Sequence, residues 1–276
     1  AKKGGANAPS FFRRHARRAR SMPARPLFPL RDETAVDPTV RAHCRRIDDA
    51  VARLIELAAT RALAPWRWVE ADAERIVHPL GVHAIARNGR PDLREGTSAA
   101  ETHAAVRCVH RLRQSLHDGD AKAIGGALRA LATEIGVRDA AIRSGPSAIQ
   151  PDGGGVMIEF AAPQHIAPRL DAMAAFYRDP SVPNSFKAIA LQAALLNLHP
   201  LRDGNGRVSR ALFNCVLWGD HVGPALYVPI YDLREHAPYT FEICLRSAEI
   251  QDNWQPIAGL YAELIESRER DALHAA

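Results

Sequence analysis

The chain has 276 residues, 47% hydrophobic and 24% charged, which suits one large or two modest folded domains and excludes a low-complexity or disordered chain. No run of about eighteen apolar residues occurs, so no membrane-spanning helix is expected. The formal charge of +5 is unevenly placed: residues 1–31 hold nine Lys and Arg and no acid, leaving 27 basic against 31 acidic side chains in the remainder. The basic excess therefore describes an arm and not the domain behind it.

Residues 1–38 mix Gly, Pro and Arg with little apolar periodicity and read as a flexible basic arm. Phe11-Phe12-Arg13-Arg14 and the basic residues after it offer a surface for nucleic acid or an acidic membrane, although a solvated leader is the simpler reading. The arm lacks the apolar core of a secretory signal, so general export is not expected. A helical part follows over 39–137. Val40, Cys44, Ile47, Val51, Leu54 and Ile55 recur at helical spacing after Asp37-Pro38, a start signal. Further helices are expected over 71–82, 97–116 and 121–135, the last two divided by Asp118-Gly119-Asp120. The four cysteines (Cys44, Cys108, Cys215, Cys244) lie far apart in helical segments, without C-x-x-C spacing, and read as buried free thiols of a reducing compartment.

Residues 138–270 form the second part, with 271–276 as a tail. Turn chemistry at Ser144-Gly145-Pro146 and Asp152-Gly153-Gly154-Gly155 breaks the helical rhythm, and Val156–Phe160 is the best strand candidate in the chain. An amphipathic helix is expected over 163–177. From Asn184 to Leu198 the pattern is apolar on most faces, which marks a buried helix. Two more helices are expected, one from Asp232 to about Ser247 and one from Asp252 to about Arg268. The fold class is therefore all-α with one small hairpin.

The buried helix delivers the most informative stretch, His199-Pro200-Leu201-Arg202-Asp203-Gly204-Asn205-Gly206-Arg207-Val208-Ser209-Arg210. Gly204 and Gly206 let the backbone approach a ligand closely. A helix beginning near Arg207 turns its unpaired N–H groups and positive dipole end toward that loop, a seat for phosphate. Arg207, Arg210 and Asn214 share one helix face, and two guanidiniums there suit a polyphosphate. Asp203 supplies a hard oxygen ligand for Mg2+, and His199 a base that titrates near neutrality.

This stretch resembles the signature of Fic-domain proteins (filamentation induced by cAMP): His, an apolar anchor, Asp or Glu, then Gly-Asn-Gly-Arg, two spacers and Arg. The anchor is usually Phe and here is Leu201. The resemblance, over roughly 40–270, implies a Fic-type helical bundle with a small β-hairpin flap at about 152–162. It implies a protein adenylyltransferase that moves AMP from ATP, with Mg2+, to a Ser, Thr or Tyr hydroxyl of a target protein. His199 would be the general base and Asp203 the metal ligand. Gly204, Asn205 and Gly206 would grip the α-phosphate, with Arg207 and Arg210 on the β- and γ-phosphates. Flap residues Val156, Met157 and Ile158 would register the target by strand addition. The retained Gly-Asn-Gly-Arg core favours nucleotide transfer over phosphate transfer. The donor base, the target and the oligomeric state are not legible.

Many members of that family are held off by a helix bearing Ser/Thr-x-x-x-Glu-Gly/Asn, whose Glu pairs with the second Arg. The nearest upstream match is Glu95-Gly96, with Pro91 in place of Ser or Thr. A cytoplasmic enzyme is the expected setting, with an effector delivered into a host cell as the alternative. Transfer of another nucleotide or phosphate-containing group, and a nucleotide-binding regulator whose basic arm contacts nucleic acid, are the competing functions.

Overall fold

A computed structural model describes residues 37–66, 97–149, 158–231 and 240–274. The basic arm, the helix expected over 71–82 and Glu95 lie outside the described residues. Among those described, no helix is long and apolar enough to cross a membrane.

Eight α-helices carry the described chain: α1 (Pro38–Thr60), α2 (Thr97–Asp118), α3 (Ala121–Glu134), α4 (Ile166–Arg178), α5 (Asn184–Leu198), α6 (Asn205–Trp218), α7 (Thr240–Gln251) and α8 (Gln255–His274). The starts of α1 and α3 follow from local chemistry. Asp37 accepts a bond from Thr39 N at 2.7 Å, with Pro38 in the first turn, and Asp120 caps α3 by accepting from Ala123 N at 2.7 Å. A short antiparallel ladder, β1 (Ala148–Ile149) with β2 (Ile158–Glu159), pairs Ala148 with Glu159 and Ile149 with Ile158.

α5 is the axis of the bundle. Twelve of its fifteen residues are buried, so hydrophobic burial, and not an amphipathic edge, sets its position. It packs against α6, which returns antiparallel: Asn184 at the start of α5 donates to the carbonyls of Val216 and Leu217 at the end of α6, at 2.9 and 3.2 Å. α2 packs on α6, and α3 on α2. On the far side α1 lies along α8, its Val40, Cys44, Ile47, Ala50 and Leu54 buried. Arg46 bridges Glu263 at 2.6 Å and Glu266 at 2.7 Å along that seam. All four cysteines are free and buried.

Several expected boundaries move. α6 begins at Asn205, two residues before Arg207, because Gly204 turns the chain at φ +83° and opens the helix there. The helix expected over 163–177 begins as a 3-10 turn over Pro163–His165. α8 runs on to His274, since Ser267, Arg268, Glu269 and Ala272 are still buried.

Asn214 shows how α6 holds the segment after it. Its Oδ1 accepts from Val228 N at 2.7 Å and Trp218 Nε1 at 3.2 Å, and its Nδ2 donates to Arg210 O at 3.0 Å and Val228 O at 3.3 Å. Read in the sequence as sharing a face with Arg207 and Arg210, it is a buried strut for the 226–231 connector. Asn214→Ala leaves those groups unpaired and is expected to cost about 2–4 kcal/mol, measured by urea unfolding.

Candidate active site

The candidate site is the six-residue link between α5 and α6. His199 ends α5 with a left-handed backbone (φ 51°, ψ 56°) and its N–H donates to Leu195 O at 2.9 Å. A non-glycine residue in this region costs on the order of 1 kcal/mol or more and persists only where its surroundings impose it. Gly204, at φ +83°, is the second left-handed position, and there glycine is obligatory: a Cβ would meet Val137 Cγ2 at 2.5 Å. Gly206 lies in the first turn of α6 without a positive φ, so its lack of a side chain leaves room beside Arg210 and does not shape the turn.

Leu201 is the buried plug that the sequence pattern calls for, 1% exposed and bridged antiparallel to Ile142. The side-chain amide of Asn205 closes the loop on it: Oδ1 accepts from Leu201 N at 2.9 Å and Nδ2 donates to Leu201 O at 2.8 Å. The reading of Asn205 as a phosphate ligand is narrowed by this, because its Oδ1 and one of its two Nδ2 hydrogens serve the loop. No side chain caps α6, so the N–H groups of residues 205–207 open onto the loop.

Asp203 is half exposed. Its Oδ1 accepts from Gly204 N at 2.6 Å and its Oδ2 from Arg207 Nη2 at 3.1 Å. No cluster of three or more His, Cys, Asp or Glu side chains is placed to hold a metal among the described residues. A single carboxylate does fit Mg2+, which keeps its waters and takes one or two protein carboxylates when it arrives on substrate phosphates.

The His199 imidazole lies flat under Phe160, the residue that follows β2, with ring centroids 3.9 Å apart and planes 10° apart. Its Nδ1 is buried without a hydrogen-bond partner, which costs about 1–3 kcal/mol. Burial pushes the His199 pKa down to about 4; the Leu196 carbonyl and Asp203 oppose the shift, and the Arg143 charge adds to it. The ring is therefore neutral throughout the physiological range, and titrates well below the near-neutral pH expected from its residue type because burial disfavours the charged form.

Arg210 is not free. Its Nε donates to Glu101 Oε2 at 3.0 Å and its Nη2 to Glu101 Oε1 at 2.5 Å, with Glu101 1% exposed. Tyr227 OH donates to Glu101 Oε2 at 3.1 Å, and the guanidinium carbon stands 5.0 Å from the Tyr231 ring centre. Burial opposes the Arg210 charge, and the Glu101 carboxylate more than offsets it. Glu101, Tyr227, Tyr231 and Phe160 escape sequence reading as site residues. For Glu101 a signal exists: Thr97-x-x-x-Glu101 has the spacing named above, but Thr102 follows where Gly or Asn is expected. Of the flap residues, Ile158 begins β2, while Val156 and Met157 lie outside the described residues.

The Fic/DOC family model matches residues 101–217, from Glu101 through the signature to the end of α6. Residues 101–217 are a Fic domain. Its helices superpose on solved structures of the same family. A Fic family protein from Desulfovibrio desulfuricans G20 aligns with a TM-score of 0.58 at 14% identity, covering 89% of this chain and 77% of that one. Fic-1 from C. elegans aligns with a TM-score of 0.53 at 18% identity, covering 86% and 74%. At such identities the likeness is one of fold. Compared with curated proteins, the chain has no significant sequence match. Fic-domain proteins generally transfer nucleotide or phosphate groups onto proteins.

The low His199 pKa gives the acid response a sign. Unfolded, the imidazole binds a proton near 6.5, and folded only near 4. The unfolded chain therefore holds more protons between those values, and this residue withdraws stability as pH falls from about 6.5 to about 4. The unfolding free energy of wild type relative to His199→Phe should fall across that window and level off below it, measured in urea at fixed ionic strength.

Proposed function

We propose that the chain is a protein nucleotidyltransferase that moves AMP from ATP to a Ser, Thr or Tyr hydroxyl of a target protein. The observation that carries this reading is a neutral, buried imidazole with an orphaned nitrogen, held on the same short loop as an uncapped helix N-terminus. In this reading His199 accepts the proton of the target hydroxyl as the oxygen attacks the α-phosphorus. The N–H groups at the start of α6 receive the charge growing on the α-phosphate oxygens. Arg207 faces the β-phosphate and Asp203 would hold the Mg2+ that accompanies the triphosphate, neutralising the departing pyrophosphate. The β1–β2 ladder offers an edge for an extended target segment beside His199.

Glu101 sets a resting state in this scheme. A guanidinium already engaged by a buried carboxylate is unavailable to a γ-phosphate, so Glu101 and the end of the triphosphate compete for Arg210. The helix-borne inhibitory Glu expected at Glu95 has this counterpart at the base of α2, in contact with the second Arg of the signature.

Two experiments test the proposal. His199→Ala should lower protein labelling from α-labelled ATP by roughly two to four orders of magnitude, the usual loss for a general base; labelling at the wild-type rate would end the assignment. Glu101→Gln removes one partner of a buried pair, a change worth about 3–5 kcal/mol, and should lower Tm in the absence of nucleotide. Mg-ATP, which supplies a replacement anion, should then raise Tm more than it does in wild type, and labelling should rise about tenfold. Equal nucleotide-induced shifts in the two proteins would remove the competition model.

A further inference from the structure

Arg143 stands apart from every residue of the signature, yet it is the side chain that holds the signature's first residue in place. It is 5% exposed and follows Ile142, which bridges Leu201, while its own N–H donates to Pro200 O at 2.9 Å. Its guanidinium donates to four backbone carbonyls from three segments. Nε reaches His199 O at 2.6 Å and Nη2 reaches Leu198 O at 2.9 Å, the last carbonyls of α5. Nη1 reaches Gly145 O at 3.1 Å, ahead of β1, and Nη2 also bonds Ala161 O, just beyond β2.

A helix that ends in a left-handed residue normally uses glycine there and caps its last carbonyls with its own backbone. Here the left-handed residue carries an imidazole, so the strain of that position must be met from outside. A cation placed on the final carbonyls of a helix is favoured by the dipole as well as by hydrogen bonding. Only a planar fork reaches carbonyls in separate segments at once; a lysine ammonium is a point donor on a flexible stem. The same fork grips both feet of the flap ladder, and Phe160, between those feet, lies on the His199 ring.

We propose that Arg143 is the positioning residue of this site: it locks the His199 turn and the two feet of the flap into one register, so that the imidazole stands in a single orientation beneath Phe160. A target strand added to the flap is thereby placed relative to the base through one side chain. The inference rests on reading His199 as the base, and it is tested so that the two stand or fall separately.

The structural arm uses histidine side-chain NMR on the full chain, the His199 resonance being the one lost in His199→Ala. The face of Phe160 displaces the His199 ring protons upfield, and Phe160→Leu supplies the value for an uncovered ring. Arg143→Gln should move the resonance to that uncovered value. A folded Arg143→Gln protein that retains the displacement overturns the proposal, whatever the activity. The kinetic arm uses self-labelling from α-labelled ATP. Arg143→Gln should lower kcat by about 30–100-fold, as a base misplaced by about 1 Å does, with the Kd for Mg-ATP changed less than about twofold. A role in stability alone would lower Tm and leave kcat per folded molecule unaltered. Arg143→Lys keeps the charge, is expected to fold, and should recover only part of both the displacement and kcat. Wild-type behaviour in that variant overturns the role of the fork. Absence of labelling in wild type would count against the transferase reading, while the NMR arm still decides the role of Arg143.

Discussion

Two buried antiparallel helices, α5 and α6, are joined by six residues, and the chain reverses within that span only by taking the left-handed conformation twice. One of these positions is Gly204, where the adjacent Val137 leaves no space for a Cβ. The other is His199. The helices cannot shift to relieve the turn, because α5 is buried on nearly every face and its start is tied to the end of α6 through Asn184. The strain therefore stays at the histidine, where it aims a reactive side chain. The same reversal leaves the first N–H groups of α6 uncapped beside it. The proposed base and the proposed anion seat are two consequences of one chain reversal.

The buried cations around this turn are compensated in two different ways, and the difference has functional weight. Arg210 is matched by a carboxylate, Glu101, which in the proposed scheme another anion of suitable geometry would replace. Arg143 is matched by backbone carbonyls, which no ligand displaces without unfolding the turn. The first arrangement is exchangeable and suits regulation; the second is fixed and suits positioning. Arg268 follows the second pattern farther away, donating to Ala225 O at 3.0 Å and to the Ala64 carbonyl. The low-dielectric interior makes both kinds of contact strong and makes an unmatched guanidinium costly.

Much of the frame was legible in the chain itself. The apolar run from Asn184 to Leu198 identifies a buried helix because burial on all faces needs apolar residues on all faces. Asp37-Pro38 and Asp120 mark helix starts through capping chemistry that lies within four residues. Boundaries failed where the deciding contact is remote. The helix expected to close near Arg268 continues to His274 because its last turns are covered by other parts of the bundle. Asn205 reads as a ligand by its place in the signature, whereas its amide closes the loop on Leu201. Glu101 was hidden because Thr102 breaks the local pattern that Thr97 begins; its meaning comes from Arg210, 109 residues away.

By itself the sequence determined the all-helical class, the buried central helix and the run of chemistry-bearing residues from His199 to Arg210, since periodicity, capping and close spacing are properties of neighbouring residues. Only the tertiary structure decided which charges are spent and which groups remain open. Arg210 is held by Glu101, Asn205 by Leu201, the His199 turn by Arg143, and the imidazole is covered by Phe160. Apart from Asn205 with Leu201, four residues apart, these pairings join residues distant along the chain, and they are imposed by the way the helices bury their apolar faces together.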